Sequence, residues 1–172
     1  LILIFKNGIT NFMDMKHLLI LGIALTFSCT LFGQAGHSFT PDTTMSLADF
    51  KEQCLQPKDE IWVLDFWASW CGPCRKSIPE LIEIHDIYKG ESVRFFSFSF
   101  DKNRSAWEGA LKQLQMPWTQ FFLPKPDTFI DTEFPVKFIP TLYLIDKEAN
   151  VTKVPIYYKI EKKLKKLTKK KK

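Results

Sequence analysis

Apolar residues in this chain gather into short runs whose lengths and spacing predict alternating strands and helices. Residues 61–66 (Ile-Trp-Val-Leu-Asp-Phe) are almost continuously apolar between Lys58-Asp59-Glu60 and Ala68-Ser69, which reads as a buried strand. From 71 or 72 to about 88 the period lengthens to that of a helix. Ile78, Leu81, Ile82, Ile84 and Ile87 are assigned to its sheet-facing side, and Pro79 is expected to kink it. Residues 93–100 read as a second strand, rich in aromatics and alternating with serine near its end. Residues 105–115 predict a helix with Trp107, Leu111 and Leu114 on one side, and the proline-rich stretch 117–137 an irregular segment with one helical turn near 128–134. Residues 141–145 and 151–154 predict an antiparallel pair turning at 147–150, and 157–167 an amphipathic closing helix with Ile160, Leu164 and Leu167 inward. Ahead of these, 45–54 predict a short helix capped by Thr44 or Ser46, with Leu47, Phe50 and Leu55 on one face. The order describes an α/β protein with a central mixed β-sheet flanked by helices.

The first 34 residues follow a different pattern. Met15-Lys16-His17 precedes a nearly unbroken apolar stretch at 18–27 and then small and polar residues to Gln34. A short positive start, an apolar core and a small-residue exit predict a secretory signal peptide, with translation starting at Met15 and cleavage near Gly33 or Gln34. The apolar core falls short of the about 20 residues needed to span a bilayer. The domain organisation is then 1–34 as upstream residues and signal, and 35–172 as one folded domain with a basic C-terminal tail. Lipid attachment at Cys29 is the competing fate, but Thr26 stands where a lipobox carries Leu, which favours soluble export. Either fate places the domain in the periplasm or cell envelope, where disulfides persist.

Composition changes the picture in one respect. The 172 residues carry a formal charge of +5, yet residues 159–172 hold nine Lys against Glu161, and residues 1–34 add +1. Taking +8 and +1 from +5 leaves −4 on residues 35–158, so the domain itself is mildly acidic and no nucleic-acid partner is predicted. Lys169 to Lys172 leave room for weak membrane association.

The candidate chemistry lies in Trp70-Cys71-Gly72-Pro73-Cys74, directly after the first strand and opening the helix. Two thiols three positions apart at a helix start form a redox pair. The free N–H groups and partial positive charge of the helix terminus stabilise the Cys71 thiolate, the form that attacks a disulfide. Cys74, one turn on, can resolve the mixed disulfide. Gly72 permits a close approach and Pro73 suits the first helical turn. No metal or other cofactor is predicted, because a zinc site needs four ligands and Cys29, Cys54, His17, His37 and His85 are scattered. Cys54 reads as a small buried apolar residue. Asp65 is an acid inside an apolar strand, where burial would raise its pKa.

The run Val63-Leu64-Asp65-Phe66-Trp67-Ala68-Ser69-Trp70-Cys71-Gly72-Pro73-Cys74 resembles the active-site strand and turn of thioredoxin, and Phe138-Ile139-Pro140-Thr141-Leu142-Tyr143-Leu144-Ile145-Asp146 resembles its cis-proline strand. The stretch from Phe96 to Asp101, with Arg104 to Trp107 and Met116-Pro117-Trp118, is similar to the exported TlpA/ResA-like branch, and the likeness covers roughly residues 38–168. It implies a thioredoxin-like fold and a protein thiol-disulfide oxidoreductase in which Cys71 attacks, Cys74 resolves and Asp65 takes the proton of Cys74. It also implies that Ile139, before a cis Pro140, pairs with the client backbone, with Trp70, Gly72, Pro73 and Thr141 completing the client-facing surface. The lysine that thioredoxin pairs with its aspartate aligns with Ser97, and the acid of many TlpA/ResA-like proteins with Ser77. The Gly-Pro pair is that of thioredoxin, a reductant near −270 mV, so the implied direction is reduction of envelope-protein disulfides, fed by a membrane-embedded thiol donor. An oxidase or isomerase, or a non-catalytic binding module of the same fold, are the other readings open to the sequence.

Overall fold

The computed structural model describes residues 45–56, 58–155 and 158–168. The expected signal at 1–34, Cys29, Thr44 and the Lys169–Lys172 tail lie outside the described residues. Among those described, no helix is long and apolar enough to cross a membrane.

Elements follow in the order α1 (Leu47–Gln53), β1 (Ile61–Trp67), α2 (Gly72–Tyr88), β2 (Val93–Ser99), α3 (Arg104–Leu114), β3 (Thr119–Phe122), α4 (Thr128–Glu133), β4 (Thr141–Ile145), β5 (Val151–Val154) and α5 (Tyr158–Thr168). Local sequence explains most boundaries. Ser46 and Asp49 form a reciprocal capping box at the start of α1. Asn103 and Asp127 cap α3 and α4 by accepting the N–H of Ala106 and of Ile130, each at 3.1 Å. Gln115, with φ of 51°, ends α3 in the left-handed conformation common after a helix.

The five strands form one sheet in the order β3-β2-β1-β4-β5. β1, β2 and β3 run parallel, whereas β4 is antiparallel to both β1 and β5. Central β1 is buried along its whole length. Its side chains alternate between two cores. Ile61, Val63 and Trp67 join Ile78 and Leu81 of α2, Trp107 and Leu111 of α3, and Ile160 and Leu164 of α5. Trp62, Leu64 and Phe66 join Phe50 of α1, Ile130 of α4 and Phe134. This second core is largely aromatic, with Phe50 and Phe66 each 5.0 Å from Phe98 between ring centroids. Period-two alternation puts Asp65 on the α2 face with Ile61, Val63 and Trp67.

Two expectations are corrected here. The segment after Pro117 is not wholly irregular, because Thr119–Phe122 adds β3 to the open side of β2. Ile87 does not face the sheet: it is 62 % exposed, and Tyr88 takes the buried position one residue on. Pro79 lies inside a helix that continues through it to Tyr88.

Candidate active site

Three features fix the turn that leaves β1. The Cys71 N–H donates to the Ala68 carbonyl at 3.1 Å, closing a tight turn. The Phe100 N–H donates to the Trp67 carbonyl, carrying the β1–β2 pairing one step past the sheet. Asp101, buried at the end of β2, accepts the Ser69 N–H at 2.8 Å, the Ser69 hydroxyl at 2.6 Å and the Ser99 hydroxyl at 2.7 Å. A buried carboxylate held by three donors is a strong anchor. It clamps the backbone two residues before Cys71.

Cys71 is the N-cap of α2 and is joined to Cys74 by a disulfide, with Cα atoms 5.3 Å apart. Its sulfur accepts the Cys74 N–H at 3.2 Å. The first cysteine therefore already receives the hydrogen bond that would stabilise its thiolate after reduction. Cys71 keeps 5 % of its surface and Cys74 none, so Cys71 is the more accessible of the two sulfurs. Pro73 stands in the first turn, as expected. Gly72 is not there for close internal packing: a Cβ on it would meet no atom within 4 Å. What glycine leaves is open space on the exposed side of the turn.

The Ile139–Pro140 peptide is cis. Thr141 pairs with Phe66 in the sheet, so the 138–140 turn lies at the same end of β1 as the cysteine turn. Ile139 is half-buried against both cores, and Thr141 is buried with its hydroxyl donating to the Phe138 carbonyl at 2.7 Å. Trp70 and Phe138 are both 68 % exposed, and Trp67 is enclosed beneath the turn.

Asp65 is 1 % exposed and pairs in register with Ser97 of β2. The Ser97 hydroxyl donates to Asp65 Oδ2 at 3.0 Å and accepts the Trp118 indole N–H at 2.8 Å. An indole only donates, so the direction of this buried chain is fixed from Trp118 through Ser97 to Asp65. A neutral chain thus occupies the site where the resemblance would put a lysine. Ser77 turns its hydroxyl to its own helix, onto the carbonyls of Pro73 and Cys74.

Sequence reading missed Asp101 and Trp118. The available signal for Asp101 was the serine pair Ser97 and Ser99, polar residues on the α2 face of a buried strand that require partners there. Cys54 lies in the aromatic core on the opposite face from the dithiol. Burial pushes its thiol up to about 11, against the opposing charge of Lys58.

A helix-capping cysteine pair and a cis-proline turn at one end of a mixed five-stranded sheet define a protein of the thioredoxin class. A family model described as thioredoxin-like matches residues 59–151, and the chain belongs to that family. It is 32 % identical over 88 residues to the thiol-disulfide oxidoreductase ResA of Bacillus cereus, covering 51 % of this chain and 50 % of that protein. It is 23 % identical over 115 residues to the sporulation thiol-disulfide oxidoreductase A of Bacillus subtilis, covering 65 % and 68 %. A thiol-disulfide oxidoreductase structure from Bacteroides fragilis superposes with a TM-score of 0.58 at 25 % identity, covering 64 % of this chain and 82 % of that one. The chain thus spans about half the length of the ResA protein it matches.

Proposed function

We propose that this protein is an exported thiol-disulfide oxidoreductase that reduces disulfides of envelope proteins. The observation that carries the reading is the Cys71–Cys74 pair at the N-terminus of α2, with the Cys71 sulfur accepting a backbone N–H. In the dithiol form, Cys71 thiolate attacks one sulfur of a client disulfide. The Cys71–client bond forms, the client bond breaks, and one client sulfur leaves and takes up a proton. Cys74, losing its proton to Asp65, then attacks the Cys71 sulfur. The Cys71–Cys74 bond forms and the second client thiol departs. The client gains two electrons, and a membrane-embedded thiol donor restores the dithiol.

Asp65 supports this scheme by lying on the α2 face of β1, the face that carries Cys74. The cis-proline turn supports a docking role for the Ile139 backbone, with Trp70, Gly72, Pro73 and Thr141 around it. Export rests on the signal pattern at 15–34. Replacing Cys74 with Ser tests the reading. The variant should accumulate thiol-sensitive adducts with envelope proteins through Cys71, because the resolving thiol is gone. Adducts that form equally in a Cys71→Ser, Cys74→Ser double variant would sink it.

A further inference from the structure

The end of the sheet that presents the dithiol has a charge unlike the rest of the domain. Residues 35–158 are net −4, and α5 adds five Lys against Glu161, so residues 35–168 carry no net charge. Yet the segments that emerge with the dithiol, 68–77, 100–105, 135–141 and 153–155, carry Arg75, Lys76, Lys102, Arg104, Lys137 and Lys153 against a single acid, Asp101. That acid is buried and held by Ser69 and Ser99, so it offers no exposed counter-charge. Asp127 in the next loop is engaged by Lys51. Arg104 has Glu108 at 3.7 Å and Arg75 donates to the neutral Gln113. Among the described residues no carboxylate pairs with Lys76, Lys102, Lys137 or Lys153, and all four are exposed.

Beside the cis-proline turn the same end holds a cleft of about 320 Å³ lined by Phe138, Pro140, Thr141, Lys153, Val154 and Pro155. The Lys153 ammonium lies 5.4 Å from the Phe138 ring centroid and 5.6 Å from that of Tyr143. A cation resting on aromatic faces, at the mouth of an apolar cleft, suits a side chain that is apolar near the peptide and anionic next to it. We infer that the preferred clients present their disulfide in an extended segment flanked by acidic residues. An apolar side chain enters the Phe138–Pro155 cleft, and neighbouring carboxylates meet Lys153 and Lys137. This rests on the oxidoreductase reading above and adds the substrate class to it. A cationic rim also repels basic segments and speeds encounter with acidic ones.

The test uses the full-length dithiol protein and two disulfide-linked peptides, identical except for Asp and Glu or Lys beside the cysteines. A small neutral disulfide serves as a third substrate. At low salt the acidic peptide should be reduced with kcat/KM about tenfold above the basic one, mostly through KM, with the ratio falling toward one in about 0.5 M NaCl. In a Lys137→Glu, Lys153→Glu variant the acidic-to-basic ratio should collapse or invert. Because the readout is a ratio, a partial loss of folded protein does not imitate it. Equal rates for the two peptides, with the neutral disulfide still reduced, would overturn the substrate class and leave the oxidoreductase reading standing. So would a ratio that the double variant does not change. Failure to reduce any of the three would overturn both.

Discussion

Two buried carboxylates stand at the reactive end of the sheet, and their hydrogen bonds separate their tasks. Asp101 is occupied by the Ser69 backbone and hydroxyl and by Ser99, so it serves as an anchor for the turn. Asp65 is reached by the chain from Trp118 through Ser97, which orients one carboxyl oxygen. Under the proposed scheme, Asp65→Asn should slow resolution of the mixed disulfide by about 10²-fold while its formation changes little. The reason is that Cys71 is assisted by the helix terminus and Cys74 is enclosed. Stopped-flow kinetics following the two phases separately across about pH 6 to 9 check this. Ser97→Ala should move the pH profile of the slow phase without moving the fast one. Equal slowing of both phases in Asp65→Asn would assign the residue to stability or to Cys71.

Among the elements, α4 is tied to α1 through one side chain. Asp127 caps α4 and pairs with Lys51 of α1. Burial pushes its carboxyl up, but the Lys51 hydrogen bond, the Ile130 N–H and the Lys51 charge outweigh it and hold it below the usual carboxylate range. The unfolded chain therefore takes up this proton first on acidification, so the contribution is present above about pH 4 and lost as the pH falls further. Asp127→Ala should cost about 1 kcal/mol or more at pH 7 and less near pH 3, measured by urea unfolding at each pH. The cap was legible in advance only as a helical turn near 128–134, because Lys51 is 76 residues away along the chain. β3 was hidden for a similar reason. Four residues closely bracketed by Pro117 and Pro124 give too little alternation to register as a strand, and an edge position is where such proline-flanked strands survive. By contrast β1 and β4 were legible as unbroken apolar runs and most of α2 by its helical spacing, and the dithiol and cis-proline turns sit at their ends. The resemblance already set Ser97 against Asp65, but the Trp118 end of that chain was not legible, since its indole reaches Ser97 from 21 residues further along the chain.

At the scale of the whole molecule, His85 reports how α2 sits against the sheet. Its ring lies 5.2 Å from that of Phe95 and 5.3 Å from that of Trp118. Burial lowers its pKa, and Asp86 opposes the shift. The unfolded chain gains the proton first below about pH 6.5, so this contribution to stability is present above that pH and lost as pH falls. Thermal melts from about pH 7.5 to 5 should lose midpoint in the wild type and lose less in His85→Gln; parallel decline in both would assign the acid sensitivity elsewhere. The sheet that His85 helps to hold has faces of unequal demands. On the α2 face, the bonds from the Ser97 hydroxyl to Asp65 and from the Cys74 N–H to Cys71 depend on distance and angle. On the far side, Phe50, Phe66, Phe98 and Phe134 need only fill a volume. The far layer can drift through rings of similar bulk while the near layer stays fixed atom by atom. A lineage of this fold can thus be redesigned from behind, its scaffold turning over while the chemistry in front is inherited unchanged.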